Sequence, residues 1–328
     1  MEMVEQNISG IKLEKLRQEA LKKHKIQRRL LPVCFLVFAG LSLLKEGFLF
    51  LYIGQYGWGD AVSTGGLWML VGDLMMSAIL SAVIYVFYMM LVWQKAYDRF
   101  NFSFKNKYVL DTIRQLPGFS ELRYNTQGGF SYEEMCLMNL IPKGEKVFYK
   151  SFDELRGVLD GVRFRAANVF TGKKANGRRS LPDTLFEGQI VTFSTFDDRK
   201  ISQGFVQVFS KKALSEIKNT TAPLNIQTEN SVFNENFVVF AENEQNAFYI
   251  LTPHVLEHIT AFQEAMEGKV YLAFCDKTMY VTCAQMRNPF DALIDVPIAQ
   301  QRSRIEEDTR ILRSAREILV RAAQDGRA

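Results

Sequence analysis

The sequence has little proline and few cysteines or histidines: 8 prolines, 4 cysteines and 3 histidines among 328 residues. With 48% hydrophobic residues, this scarcity of proline excludes a disordered chain, and glycine lacks the period of a fibre. The cysteines form no CxxC pair, and Cys34 lies in an apolar run. We therefore expect reduced, cytosolic thiols without a disulfide framework or a zinc cluster.

An excess of charge is also absent from most of the chain. Lys+Arg number 40 and Asp+Glu 36, and the whole excess lies in residues 1–29. Nucleic-acid-binding proteins carry a basic footprint on their folded domain. The balanced body therefore predicts no nucleic-acid partner.

Two long apolar runs are the main positive feature. The second, residues 74–93, contains no charge and is long enough to span a bilayer core of about 30 Å. The first, residues 30–44, reaches that length only if it continues through Lys45 and Glu46 to about Ile53. We predict two transmembrane helices, with two buried core helices as the alternative. A secretory signal peptide is excluded because the first run starts far from the N-terminus and no small-residue cleavage site follows it.

Loop charge predicts the orientation of these helices. Basic residues precede the first helix and follow the second, whereas the connecting stretch 55–66 has no Lys or Arg. The positive-inside rule then predicts a multi-pass protein of the cell inner (plasma) membrane with both termini cytoplasmic.

Small and charged residues predict how the two helices pack. Ser77 with Ser81, and Ala78 with Ala82, have the spacing that allows close helix approach. Lys45 is expected near the depth of Asp73, where the two could pair or reach the headgroups separately. Two helices with one acid offer too few polar groups for a transport path, so we predict an anchor.

The segment 11–29 is predicted to be a basic, moderately amphipathic helix, with Ile11, Leu16, Ala20 and Ile26 loosely on one side. Such a helix beside a membrane attracts anionic lipid, at about 1 kcal/mol for each basic residue near the surface. The preferred interpretation is that these charges only set the topology, because the positive-inside rule alone requires them, and lipid binding is the alternative.

The chain is thus predicted to have four regions and an α+β fold. They are a basic cytoplasmic juxtamembrane helix (1–29), a two-helix membrane anchor (30–94), a cytoplasmic α+β domain (95–296) and a charged C-terminal helix (297–328). The sheet is expected to be mixed and mainly antiparallel, because short half-buried strands are separated by polar turns.

Local signals predict the elements of this domain. Helices are predicted at 105–116, 131–140 and 151–159, and one helix starts with Thr252 as N-cap and Pro253 at its first position. Strands are predicted at 162–171, 185–195, 204–209, 232–240 and 247–251, followed by a hairpin of 269–274 with 279–283. The tail repeats Ile298, Ile305, Leu312 and Leu319 every seven residues, with Ala315 and Ala322 at the second seam. Packing on its own domain is favoured over a coiled coil, because the seam is broken at its start.

The sharpest chemical motif is His254-Val255-Leu256-Glu257-His258. HxxEH can place two histidines on one helix face to hold zinc, with Glu257 as general base. Pro253 puts His254 in the first turn, and no third ligand lies at a suitable distance downstream. Surface histidines on a capped helix are therefore the preferred interpretation, and no catalytic, cofactor-binding or metal site is predicted.

The segment 172–180 contains GxxxxG but not the Lys-Ser/Thr of a phosphate loop, and predicts a basic hairpin loop.

The order of features resembles a known family. Phe186-Glu187-Gly188, Val232 to Phe240, Tyr249-Ile-Leu-Thr-Pro253 and Asn288-Pro289-Phe290 follow two apolar runs, as in bacterial membrane proteins grouped as domain of unknown function 3137. The likeness covers roughly Phe100 to Leu293. The resemblance implies no assigned activity and no catalytic residues, and it suggests membrane proteins of the LemA family as a partner.

We therefore expect a non-enzymatic integral membrane protein whose cytoplasmic domain binds a protein or lipid partner. The lipid bilayer is itself a partner, with anionic lipids bound through the basic N-terminal helix. The alternative is a membrane-bound zinc hydrolase that uses His254, Glu257 and His258.

Overall fold

A computed structural model describes residues 2–54, 64–175, 182–194, 205–214, 223–266, 269–275, 278–284 and 288–324. Most of the predicted outer loop, the tip of the basic hairpin loop and the turn at 276–277 lie outside these residues. The chain divides into two compact units. The helical unit comprises Met1–Phe104 and Ala292–Ala299, and the sheet unit comprises Lys105–Asp291 and Gln300–Ala328.

The helical unit is built on two long apolar helices. Its elements are α1 (Glu2–Gly54), α2 (Thr64–Tyr88), a π-helix (Met89–Trp93) and α3 (Gln94–Ser103). At about 1.5 Å per residue, α1 is a single helix about 80 Å long, joining the predicted basic segment to the first apolar run. Two helices, Gly10–Lys45 and Val71–Arg114 among the described residues, are long and apolar enough to cross a membrane.

Small and polar side chains join α1 to α2. Ser77 and Ser81 are buried, as their spacing predicted, and the Ser77 hydroxyl lies 3.3 Å from that of Ser42. Lys45 Nζ lies 2.8 Å from Asp73 Oδ2. Of the two arrangements open for Lys45 and Asp73, the structure has the ion pair.

The N-terminal part of α1 buries only part of the side that the sequence suggested. Ala20 of that side is buried, but Ile11 and Ile26 are 55% and 43% exposed, and the buried residues also include Leu13, Arg17 and Gln27. Arg17 Nη1 donates to the carbonyl of Ile294 at 2.7 Å, and Gln27 Nε2 donates to the Tyr85 hydroxyl at 3.0 Å. Packing within the unit therefore selects a mixed polar face, whereas the prediction considered apolar residues alone.

The sheet unit contains the remaining elements. Its strands are β1 (Phe119–Asn125), β2 (Lys150–Leu159), β3 (Val162–Lys173), β4 (Asp183–Ser194), β5 (Val206–Ser210), β6 (Leu224–Ile226), β7 (Phe237–Ala241), β8 (Val270–Cys275) and β9 (Thr278–Ala284). Its α-helices are α4 (Leu110–Arg114), α5 (Tyr132–Met138), α6 (Lys211–Leu214), α7 (Ser231–Asn236), α8 (Glu244–Ile250), α9 (Pro253–Met266), α10 (Arg302–Asp308) and α11 (Arg310–Gln324). A π-helix (Phe104–Val109) leads into α4, and 3₁₀ turns lie at Lys146–Phe148 and Ile298–Gln301.

The described strands form one sheet in the order β1-β2-β3-β4-β9-β8-β5-β7-β6, and each neighbouring pair in it is antiparallel. This confirms the α+β fold class and the late hairpin. Gly188, in the Phe-x-Gly sequence of β4, is required by close approach, since a Cβ there would overlap the Cys283 carbonyl of β9. In the tail, Ile305, Leu312, Ala315, Leu319 and Ala322 are all buried.

Three predicted elements are wrong. Residues 151–159 form β2 instead of a helix, because pairing with β1 and β3 outweighs the helix-like spacing of their apolar residues. Residues 232–236 and 247–250 are helical instead of extended. The side chains of Asn230 and Asn243 cap these helices by accepting from Phe233 N and Gln245 N. Strand β1 was not predicted at all.

A buried ion-pair cluster lies within the sheet unit. Lys105 Nζ lies 2.5 Å from Asp153 Oδ2 and 2.5 Å from Asp291 Oδ1, and the Lys105 and Asp153 side chains are 6% and 4% exposed. Asp153 has a φ of 59° at an irregularity of β2 between Phe152 and Leu155. Burial raises the pKa of the Asp153 carboxyl, and the Lys105 ammonium opposes that effect. The cluster thus fixes the chain where β2 changes register.

Replacing Lys105 by methionine should lower the free energy of unfolding by about 3–5 kcal/mol, because Asp153 would stay buried without its cation. The measurement is the denaturant midpoint of the detergent-solubilised protein, followed by circular dichroism. Lys150→Met is the control, since Lys150 is an exposed lysine of β2, the strand that carries Asp153. Equal midpoints for the two variants would contradict a stabilising role of the cluster.

Candidate ligand-binding groove

Strand register brings four arginines to one face of the sheet. Residues directly opposite one another on antiparallel strands point to the same face. The arginine row runs across five neighbouring strands and consists of Arg123, Arg156, Arg165, Thr192 and Tyr280. The second row starts two residues earlier in β3 and consists of Arg163, Ser194, Thr278 and Cys275.

Helix α5 covers only part of this face. Met135 and Met138 of α5 join Ile190 and Tyr271 of the sheet in the hydrophobic core. A capping box sets the start of α5: Ser131 Oγ accepts from Glu134 N at 3.0 Å, and Glu134 Oε2 accepts from Ser131 N at 2.7 Å. The local sequence therefore fixes where α5 begins and, with it, the edge of the uncovered sheet.

Beside α5 the face opens into a groove of about 700 Å³. Its floor carries Arg156, Arg163, Arg165, Thr192, Ser194 and Thr278. Leu137 and Met138 of α5 and Phe205 add an apolar wall. The volume lies within the range of pockets that hold a small molecule or a few peptide side chains.

Arg165 is held by neighbouring groups. Its Nη1 donates to Glu134 at 2.8 Å, its Nη2 donates to the Gly129 carbonyl at 2.6 Å, and its Nε donates to Glu154. The guanidinium also lies 4.2 Å from the centre of the Phe130 ring. These contacts join α5 and its preceding loop to β2 and β3, so Arg165 positions the wall of the groove.

Arg163 and Arg123 differ from Arg165. Both are exposed, and neither has an ion-pair or hydrogen-bond partner within the part of the chain that the structure describes. Arg156 is 55% exposed and pairs with the buried carboxylate of Glu154. Arg163 on β3 lies directly opposite Ser194 on β4, which is also exposed. A charged donor and a neutral hydroxyl donor are therefore neighbours on this face.

Two carboxylates offset part of this positive charge. Partial burial raises the pKa of Glu134, but hydrogen bonds from Arg165 and the Ser131 amide outweigh it and place the pKa below its usual range. Glu154 is buried and bonded to Arg156 and Arg165. Among the described residues of this face, these four arginines outnumber the two glutamates bonded to them. The groove can therefore bind an anionic group.

The HxxEH residues lie elsewhere, on α9. Thr252 and Pro253 start that helix as predicted, with Val255 N donating to Thr252 Oγ1 at 3.4 Å. His254 and Glu257 are exposed. Within the described ranges, no group of three or more His, Cys, Asp or Glu side chains is placed to hold a metal ion. The prediction of no metal site stays a prediction.

The arginines of this face were not predicted. The strongest signal for them in the sequence is Arg163-Phe164-Arg165, where charged and apolar residues alternate at the period of a strand. The proximity of Arg123 and Arg156 depends on long-range strand pairing. The basic hairpin loop lies between β3 and β4, as predicted, although its tip falls outside the described residues.

Comparison with known proteins finds a family match for part of the chain. Residues 184–320 match the family described as protein of unknown function (DUF3137). This part of the chain belongs to that family. The DUF3137 segment starts within β4 and ends within α11, further towards the C-terminus than the likeness from Phe100 to Leu293 suggested. No curated protein and no solved structure matches the chain.

Only part of the groove lies within the segment that matches the family. Thr192, Ser194 and Thr278 lie inside the DUF3137 segment, whereas the four arginines lie on β1, β2 and β3, before it. The hydroxyl-bearing part of the floor therefore lies within the matched segment. The charged part comes from residues 119–173.

Arg165 and Arg163 should differ in their effect on stability. Arg165→Met should lower the free energy of unfolding by about 2–3 kcal/mol, because charged hydrogen bonds to Glu134 and Glu154 are lost. Arg163→Met should change it by less than about 0.5 kcal/mol, since exposed residues without partners contribute little. Denaturant unfolding of both variants checks this, and equal losses would assign Arg163 a structural role.

Proposed function

We propose that this is a non-enzymatic integral membrane protein whose sheet unit binds an anionic group of a protein partner in the groove. The observation that carries the proposal is Arg163, an exposed arginine without a partner among the described residues, beside Ser194 and Thr278. An arginine whose side chain has no partner in the described part of its unit can donate to a ligand. Charge-assisted hydrogen bonds from guanidinium groups are among the strongest that proteins form.

The groove favours binding over catalysis. Arginines and hydroxyls dominate the polar side chains of its floor, with Cys275 and Tyr280 beside them, and Glu134 is already engaged by Arg165. A nucleophile needs an adjacent general base, and the groove residues that we can place offer no histidine for that role. The zinc hydrolase alternative rests on the HxxEH sequence alone. A LemA-family membrane protein is the partner that the resemblance suggests.

The protein is proposed to cross the inner membrane twice, through residues 30–53 and 74–93, with the sheet unit in the cytoplasm. The exposed apolar side chains of both helices support this, among them Leu36, Leu44, Met75 and Met76. A soluble protein rarely exposes so large an apolar surface. The absence of Lys and Arg from the connecting segment supports the orientation.

The continuous α1 limits which basic residues can reach lipid. Lys12 lies 18 residues before Leu30, about 27 Å along the helix, beyond the screening length of about 10 Å at 0.1 M salt. Arg17 is buried. Any attraction to anionic lipid should therefore come from Lys22, Lys23, Lys25, Arg28 and Arg29.

Photocrosslinking in native membranes tests the groove. A benzophenone amino acid at Leu137, which is 79% exposed on the groove wall, should give a partner adduct that Arg163→Glu removes. The control position is Val147, 76% exposed and outside the groove lining. Mass spectrometry then identifies the adduct. The proposal fails if adducts form equally at both positions or persist in Arg163→Glu.

Thiol labelling of intact cells tests the orientation. Single cysteines at Ser63 and Ser103, with the 4 native cysteines replaced by alanine, are treated with an impermeant reagent. Only Ser63→Cys should be labelled, because it lies in the segment without basic residues. Labelling of Ser103→Cys instead would place the sheet unit outside the cell.

A further inference from the structure

The arginine row is longer than the groove. Arg123 does not line the cavity, although strand pairing places it beside Arg156 on the same face. Five neighbouring strands separated by about 4.8 Å make the row about 19 Å long. A single phosphate or carboxylate would occupy only one part of such a surface.

Charge is distributed unevenly along this surface. Arg123, Arg156 and Arg165 occupy the three strands at the β1 edge, with Arg163 beside them. The opposite end carries the uncharged Thr192 and Tyr280 next to the apolar wall of Leu137, Met138 and Phe205. A ligand that covers the whole surface must be acidic at one end and apolar at the other.

The row is unfavourable for the isolated protein. Like charges directly opposite one another on paired strands destabilise a sheet. Arg156 lies opposite Arg123 on one side and opposite Arg165 on the other. Glu154 and Glu134 neutralise Arg156 and Arg165, but neither is bonded to Arg123 or Arg163. Arg123 and Arg163 are therefore the positions at which an external anion gains most.

Resting on the proposed function, we infer that the ligand is an extended peptide segment of a partner protein, with acidic residues over β1–β3 and apolar residues in the groove. Six extended residues at about 3.3 Å each span about 20 Å, which matches the length of the row. Carboxylates over Arg123 and Arg163 accept charge-assisted hydrogen bonds. The apolar residues bury Leu137, which is 79% exposed.

The test uses the full chain in nanodiscs of phosphatidylcholine, a lipid without net charge. The probes are fluorescein-labelled hexapeptides with three glutamates followed by three leucines, the reversed sequence, and matching peptides with glutamine for glutamate. At least one glutamate peptide should bind about tenfold more tightly than its glutamine counterpart, as loss of one charged hydrogen bond predicts. Binding should weaken as salt shortens the screening length from about 10 Å at 0.1 M to about 3 Å at 1 M.

Arginine variants decide the extent of the site. Arg123→Glu and Arg163→Glu should each weaken binding of the glutamate peptide about tenfold or more. The matched control is Arg310→Glu, which makes the same charge change at an exposed arginine of α11 and should leave binding unchanged.

Three outcomes would overturn the inference. Absence of binding by both glutamate peptides excludes this ligand class. Weakening by Arg163→Glu but not by Arg123→Glu limits the ligand to one anionic group in the groove, and the proposed function then survives. Displacement of the peptide by inorganic phosphate at lower concentration than by free glutamate assigns the site to a phosphorylated ligand.

Discussion

The ion-pair cluster of Lys105, Asp153 and Asp291 secures the irregularity of β2, one of the strands that form the floor of the groove. It holds Asp153 in a left-handed conformation at the irregularity of β2. In a strand, a shift of one residue moves every later side chain to the other face. The cluster therefore stabilises β2 at the point where its register against β3 changes, a few residues before Arg156. The pairing of Arg156 with Arg165 itself follows from the two-residue turn that joins Leu159 to Val162.

The same sheet face combines stabilising and destabilising contacts. Arg165 gains two carboxylates, a backbone carbonyl and an aromatic ring, so the closely spaced positive charges do not force α5 away from the sheet. Arg123 and Arg163 gain nothing comparable among the described residues. Natural proteins retain such locally unfavourable groups mainly where they serve a function. This contrast on one face separates Arg165, which holds the groove together, from Arg123 and Arg163, on which the binding proposal rests.

The helices that were predicted correctly are those whose starts are determined by a few adjacent residues. The Ser131–Glu134 capping box and the Thr252–Pro253 start are written in adjacent residues, and both helices begin where these residues predict. The helices at Ser231–Asn236 and Glu244–Ile250 were missed although each is preceded by an asparagine, Asn230 and Asn243, that caps it. Their apolar residues alone were compatible with strands, and the caps were the deciding evidence.

Elements with distant causes could not be predicted in the same way. Residues 151–159 have helix-like spacing and become β2 only because β1 and β3 pair with them. The candidate groove depends on that pairing, because it joins Arg123, Arg156 and Arg165 from three separate stretches of sequence. The Lys45–Asp73 pair was accessible by counting helix rise, since both partners lie on helices of known direction.

The two edges of the sheet explain why a peptide would cross the strands instead of extending them. Strand β6 has only 3 residues, and β1 is irregular between Ser120 and Arg123, with Glu121 at a φ of 51°. Short or kinked edges offer few consecutive backbone groups to an incoming strand. This construction protects the protein from edge-to-edge aggregation when many copies are close together. Contacts of the proposed peptide would then be made by side chains on the open face and not by main-chain hydrogen bonds at a free edge.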